Sequence, residues 1–412
     1  MSIIYIHGVK VRAPDHGLAL ARPFAKWLGA KLTVGANAVE YLPVYWGDAA
    51  ARFRWNLESR PKTALLAQGG AGSFAGLGSL REASGQTPLD QALVRPAAPG
   101  PVINAPVTAA SVAAAPPLAS IPRNNRADFV ADLYLAVHPR TRKGEDPIAE
   151  DPRLGPLAAV AAEVAEHWDA IAAGETTDEA RAARLVRAVE ERLSGSSGVI
   201  AQGGLADWMT KAGETVRRAA TWPGDAVSTV FGELRPVVNE FVAYFIGDVL
   251  AYINERDEGG APGVIPRRVL DALRTAHRRK QATGEKIVVV SHSMGGQLLY
   301  DALTFYAPGD PTLAGLAVDH WMSCGAQVSL FAELFMFKGQ PADVSGPRKL
   351  PRPAAVKAWT NFYDRNDLVG FVMAPIFNDV ADIEYDTGYG LAFAHTGYLA
   401  RPSFFEAMAA RL

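Results

Sequence analysis

Cysteine is almost absent from this chain: Cys324 is the only one in 412 residues, so no internal disulfide can form. That usage is compatible with a reducing compartment. Long apolar runs are missing as well. A spanning helix needs about 18 or more largely uncharged apolar residues, and the nearest stretch, Val237 to Ile253, carries Glu240 and Asp248. The opening Met1-Ser2-Ile3-Ile4-Tyr5-Ile6-His7-Gly8 has neither the basic start nor the extended apolar segment of a secretory signal. A soluble cytoplasmic protein is therefore expected. Neither sign of charge is in excess, since 41 basic against 43 acidic residues give −2, which argues against a general nucleic-acid binder. A Gly-rich phosphate loop, a His-Glu-x-x-His pair and a cysteine cluster are all lacking. Nucleotide and zinc readings therefore lack support.

What the chain does have is material for a core, with 49% hydrophobic and 20% charged residues. Its length exceeds the roughly 100–200 residues of a common domain, so a large α/β core with an insertion fits as well as two domains. Ile3 to Ile6 and Val39 to Trp46 read as buried strands. Between them Leu18, Leu20, Phe24, Trp27 and Leu28 recur at helical spacing. Strand, helix, strand is how a parallel sheet begins. The rhythm then breaks. Residues 68–79 are rich in Gly and small side chains, and 96–122 are mostly Ala and Pro, as in a mobile linker.

Helical patterns follow the linker. Val160, Val164, Trp168 and Ile171 share a face, and Leu185, Val186, Val189 and Leu193 form a stripe on a helix opened by a Thr176–Glu179 capping box. A third helix is expected over Trp208 to Ala219. From Val237 the sheet rhythm returns, with helices over Val237 to Ile253 and Pro266 to Gln281 and a β-branched strand over Ile287 to Val290. Later strands are expected at Leu316 to Met322, Val356 to Tyr363 and Ile383 to Tyr385, and a last helix at Ser403 to Leu412. The organisation is a core formed by residues 1–51 and 236–412, split by an insertion over 52–235. Within the insertion, about 66–125 reads as the flexible segment and about 126–235 as a helical cap, lid or separate packing module.

The densest chemical signal is Lys286-Ile287-Val288-Val289-Val290-Ser291-His292-Ser293-Met294-Gly295-Gly296-Gln297-Leu298-Leu299. It puts Ser293 between a buried strand and a helix start, with small residues two positions to either side. A serine hydroxyl can attack a carbonyl only if it projects from a sharp turn, and small flanking residues allow that turn. Ser291 replaces the more usual first glycine. His292 reads as packing, and the Met294 N–H as one donor to an oxyanion.

A serine nucleophile needs a base, and the base needs an orienting carboxylate. Beyond His277 only His292, His320 and His395 remain. His395 lies in a Gly-rich loop after the last strand, where the base belongs in chain order Ser, acid, His. Asp367 is the preferred acid and Asp364 the alternative, both at the end of Trp359 to Tyr363; Asp379, Asp382 and Asp386 read as turn or surface residues, and Arg365 as a loop charge. The second oxyanion donor is expected at Val9, after His7-Gly8.

These stretches, together with Asp367-Leu368-Val369, His395-Thr396-Gly397-Tyr398 and the Gly247-Asp248-Val249 helix, resemble the motif series of α/β-hydrolase lipases and esterases. The likeness is to bacterial members related to the PGAP1-like and lecithin–cholesterol acyltransferase-like groups. In them a Gly-Ser-Pro-like turn follows the next strand; Ser323-Cys324-Gly325-Ala326-Gln327 stands in its place. The resemblance covers the first 50 residues and about 235–412. It implies an α/β-hydrolase fold, a mostly parallel sheet flanked by helices, and hydrolysis of a small-molecule or lipid ester without metal or organic cofactor. Thioesterases, amidases and acyltransferases share the fold, and fold alone does not choose among them.

The helix from Pro266 carries Arg267, Arg268, Arg274, Arg278, Arg279 and Lys280, readable as a peripheral contact for anionic membrane lipid or as a solvated face. Trp46, Phe53 and Trp55 could line an acyl pocket or belong to the core. Oligomeric state is not written in the sequence.

Overall fold

The computed structural model describes residues 1–32, 39–54, 57, 118, 121–137, 154–176, 178–194, 231–340, 349–388 and 394–412. The strands are β1 (Ser2–Ile6), β2 (Glu40–Val44), the short β3 (Asp257–Glu258) and β4 (Ala261–Pro262), β5 (Ile287–His292), β6 (His320–Cys324), β7 (Trp359–Tyr363) and β8 (Val380–Glu384). Six of them form one sheet in the order β2-β1-β5-β6-β7-β8. Every neighbouring pair in it is parallel; β3 and β4 make a separate antiparallel hairpin.

Parallel strands are covered on both faces, so their residues need no polar alternation. The period of two still sorts them. Ile4, Ile6, Ile287 and Val289 join a cluster with Val269, Leu270 and Leu273 of the helix Val264–Thr283. Ile3, Tyr5, Val288 and Val290 face the other way, onto Phe24, Leu28 and the Phe404, Phe405 and Met408 of the helix Pro402–Ala409. The chain thus has the α/β architecture, helices on both sides of a parallel sheet.

Several boundaries differ from the sequence expectation. The first helical stretch is a succession of a 3-10 turn (His16–Leu20), an α turn (Ala21–Phe24), a π turn (Ala25–Gly29) and a last α turn (Ala30–Leu32). The tighter 3-10 turn changes the rotation per residue, and Leu18 is left 60% exposed rather than on the buried face. β6 starts at His320 instead of Leu316, because Asp319 there accepts the Ile287 N–H and pairs with Lys280 and Lys357. β8 begins at Val380 rather than Ile383. The helix expected from Pro266 begins at Val264, and the proline stays in the first turn, where an N–H has no intrahelical partner.

Five of that helix's six cations are held by carboxylates: Arg267 by Glu258, Arg268 by Asp48, Arg274 by Asp271 and Asp310, Arg279 by Glu285, and Lys280 by Asp319. That pattern favours the solvated-face reading. Among the described residues no helix is long and apolar enough to cross a membrane.

The longer described helices of the insertion are Arg126–Val137, Leu154–Glu166 and Asp178–Ser194, with the short helix Trp168–Ile171 between the last two. They close around their own core of Phe129, Leu133, Leu157, Val160, Val164, Trp168, Leu185 and Val189. Leu118 and Ile121, expected in the flexible segment, are buried in this core. The helix Asp178–Ser194 starts two residues after Thr176, and its Asp178 carboxylate accepts the Leu118 N–H. The helix Phe231–Glu255 runs unbroken past residue 235, and its Val249 and Tyr252 belong to the main core. The Gly-, Ala- and Pro-rich stretches at 68–79 and 96–117, the helix expected at 208–219, and Trp55 lie outside the described residues.

A polar ladder runs beneath the strand ends. Trp321 donates its indole N–H to Ser291 Oγ (2.8 Å), Trp359 donates to Ser323 Oγ (2.9 Å), and Ser323 donates to Asn361 Oδ1 (2.8 Å). The two indoles stack at 3.9 Å. At the opposite end of β6, buried His320 lies 2.9 Å from Thr360 Oγ1, and burial lowers its pKa from 6.5 to about 4. The unfolded chain therefore binds this proton more readily between those values, and stability falls as pH drops from about 6.5 towards 4. With partial solvent screening the loss from this group is about 2 kcal/mol. Urea unfolding at pH 7.5 and 4.5 should show that difference between wild type and His320→Gln. Equal losses in the two proteins would rule it out.

Candidate active site

β5 ends in a turn that aims Ser293 away from the sheet. Its φ is +52°, a left-handed conformation that costs roughly 1–2 kcal/mol for a residue with a side chain. The turn is held by Ser293 N–H on Cys324 O (3.0 Å) and Gly296 N–H on Ser293 O (3.0 Å). Two glycines make room for it. A Cβ on Gly8 would lie 2.7 Å from Ser293 Cβ, and one on Gly295 would collide with the Ile6 carbonyl. Ser291, standing where a glycine was the usual residue, is explained by its hydroxyl, which takes the Trp321 indole N–H.

His395, in the short helix Ala394–Gly397, presents Nε2 at 2.9 Å from Ser293 Oγ. Its Nδ1 lies 3.0 Å from both carboxylate oxygens of Asp367. All three side chains are buried. The choice between Asp364 and Asp367 is made by geometry. Asp364 turns its oxygens to Thr387 N–H (2.7 Å), Thr387 Oγ1 (2.6 Å) and Asn366 N–H (2.8 Å), not to an imidazole; burial raises its pKa. Asp382 accepts the Met373 and Ala374 N–H groups, Asp386 accepts that of Gly388, Asp379 lies just before β8, and Arg365 pairs with Glu384 at 2.7 Å.

Residues that sequence reasoning passed over surround this trio. The Tyr398 hydroxyl donates to Asp367 Oδ2 (3.1 Å) and accepts the Asp364 N–H (2.7 Å). Burial, then the two nearby carboxylates, push its pKa well up. Its spacing three residues after His395 was the available signal. Gln327 donates to Gly325 O and Val369 O (both 2.6 Å) and accepts from Gln297 (2.8 Å), tying the acid loop to the helix after the nucleophile. His292, read as packing, donates from Nε2 to the His395 carbonyl at 2.7 Å.

The loop after β1 is pinned on two sides. His7 donates from Nδ1 to Gly8 O (2.8 Å) and accepts the Trp46 N–H at Nε2 (3.1 Å), with Trp46 stacked on it. Trp46 is therefore a core support for this corner, and Phe53 packs on Tyr244. Asp248 accepts the N–H groups of Lys10 (2.8 Å) and Ala51 (3.1 Å) and pairs with Arg12 (2.6 Å). Val9 and Met294 are both buried next to these fixed points, and among the described residues neither N–H donates to a carbonyl or side chain. Such amides can receive developing negative charge.

Among the described residues no group of three or more His, Cys, Asp or Glu is arranged to hold a metal ion. No family model, no curated protein and no solved structure matches this chain.

Proposed function

We propose that this protein is a serine hydrolase of the α/β-hydrolase type that cleaves carboxylic esters through an acyl-enzyme. The observation that carries the reading is the unbroken contact Ser293 Oγ–His395–Asp367 at a strand-to-helix turn with positive φ. The parallel sheet, with Ser293 after its central β5 and the acid and base after β7 and β8, supports the same fold assignment.

In the first half-reaction Ser293 Oγ attacks the ester carbonyl carbon and its proton passes to His395 Nε2. The Val9 and Met294 N–H groups receive the oxyanion. The bond to the leaving oxygen then breaks, and His395 returns the proton to the departing alcohol. Water repeats the sequence: His395 takes its proton, the hydroxide oxygen bonds to the acyl carbon, and Ser293 leaves with the proton restored. Asp367 keeps the imidazole in the tautomer with Nδ1–H and steadies its charged form.

The test is nitrophenol release from short- and long-chain nitrophenyl esters, paired with labelling of Ser293 by a fluorophosphonate. No turnover and no labelling in folded protein would favour a non-catalytic, partner-binding use of the fold.

A second reading, a phospholipase acting at a membrane surface, draws on apolar side chains in the loops after β6 and β7. Leu334, Phe335 and Leu368 are more than half exposed, and Leu368 directly follows Asp367. Hydrolysis rising by about tenfold or more when ester is presented in vesicles rather than as monomers is expected on this reading. An unchanged rate would reject it in favour of a soluble esterase.

A further inference from the structure

The insertion reaches the site from behind. Arg401 is fully buried, and a charge at that depth is tolerated only beside a counter-charge. The counter-charge comes from the insertion: Asp132 Oδ1, on the helix Arg126–Val137, lies 2.8 Å from Arg401 Nη1. Four residues earlier on the same helical face, Asp128 accepts Ser403 Oγ–H at 2.6 Å.

From Arg401 a chain of short contacts runs to the nucleophile. Arg401 Nε donates to Thr387 O (2.6 Å). Thr387 donates through N–H and Oγ1–H to Asp364 Oδ2 (2.7 and 2.6 Å). Asp364 N–H reaches the Tyr398 hydroxyl (2.7 Å), and that hydroxyl reaches Asp367 (3.1 Å). Asp367 meets His395, and His395 meets Ser293. Arg401 also ends the helical segment that carries His395 and Tyr398, its N–H donating to Tyr398 O (3.2 Å). The helix Leu154–Glu166 backs this segment, with Ala158 buried in one cluster with Tyr398 and Leu399.

We propose that Asp132 and Arg401 are positioning residues, through which the insertion holds the His395 imidazole and Asp367 in line with Ser293. The proposal rests on the serine-hydrolase reading for its catalytic consequence. Two ion pairs at the exposed rim of the same interface, Arg22–Glu163 and Lys26–Glu166, lead to no such chain and provide a contrast.

The test compares Asp132→Asn, Arg401→Lys and Thr387→Val with Glu163→Gln in the full chain, folding being checked by near-ultraviolet circular dichroism. Nitrophenyl-ester kinetics, fluorophosphonate labelling and the far-downfield proton resonance of the His395–Asp367 hydrogen bond are the readouts. Misplacing a catalytic group by about 1 Å can cost roughly 100-fold. The first three variants should lose about 10- to 100-fold in kcat and labelling rate with KM within about twofold, and should weaken the resonance. Glu163→Gln should match wild type. Folded Asp132→Asn or Thr387→Val with wild-type labelling and an intact resonance overturns the proposal. Should Asp132→Asn fail to fold, Arg401→Lys and Thr387→Val decide by the same criteria. If wild type neither turns over nor labels, the hydrolase reading fails instead, and the resonance, which needs no substrate, still decides whether the insertion braces the three side chains.

Discussion

Replacing Ser293 with alanine is expected to lower ester hydrolysis by about 10⁴- to 10⁶-fold, leaving only what the oxyanion donors and substrate binding supply. The fold should survive. Alanine removes one oxygen from a buried position, keeps the Cβ that already fits against Gly8, and inherits the same positive φ. Stability should shift by no more than about 1 kcal/mol, the net worth of one ordinary hydrogen bond, as measured by urea unfolding. Neither neighbouring serine hydroxyl on the strand ends, Ser291 or Ser323, is free to stand in. Ser291 is engaged by Trp321, and Ser323 lies between Trp359 and Asn361. A Ser293→Ala protein that is folded and hydrolyses nitrophenyl esters at the wild-type rate would place the chemistry elsewhere.

Asp367→Asn should be nearly as damaging, at about 10⁴-fold in kcat. The carboxylate accepts from His395 Nδ1, from the Val369 N–H (3.0 Å) and from the Tyr398 hydroxyl. An amide has one oxygen for those three donors, so its NH₂ must oppose one of them. If it opposes the imidazole, His395 flips to the tautomer carrying hydrogen on Nε2 and can no longer take the Ser293 proton. Asp364→Asn separates the two carboxylates. Its oxygens serve Thr387 and Asn366, so the change should reduce stability by about 1–3 kcal/mol, the penalty for misfit buried donors, with kcat falling by no more than about 100-fold. Steady-state kinetics on both variants, with urea unfolding alongside, test this order. The reverse order would make Asp364 the acid.

Much of this site was legible because its parts are local. A β-branched run, a small-x-Ser-x-small turn and a helix start can be recognised within fourteen residues, and the strand-to-helix turn follows from them. The imidazole that meets Ser293 was legible by position, since only His395 follows the later strands. Harder to read was everything made by contact across the sheet. Ser291 looked like a departure until Trp321, thirty residues on, gave its hydroxyl a donor. His292 packs against the His395 and Tyr398 rings, and nothing along the chain signals that its ring nitrogen also holds the backbone carbonyl of His395. Leu18 carried a helical period that a 3-10 turn broke.

By itself, the sequence determined the alternation of buried strands and helices, hence the α/β class, and the order in which serine, carboxylates and imidazole occur. Those properties depend on hydrophobic period and turn chemistry, which act over a few residues. Only the tertiary structure decided which carboxylate meets His395, why Arg401 is buried and where the insertion touches the core. Asp364 and Asp367 are three residues apart in one loop, and along the chain only the apolar Leu368-Val369 pair after Asp367 favours it, without excluding Asp364. The packing of Thr387 and Tyr398, brought from beyond β8, sends one carboxylate to each side.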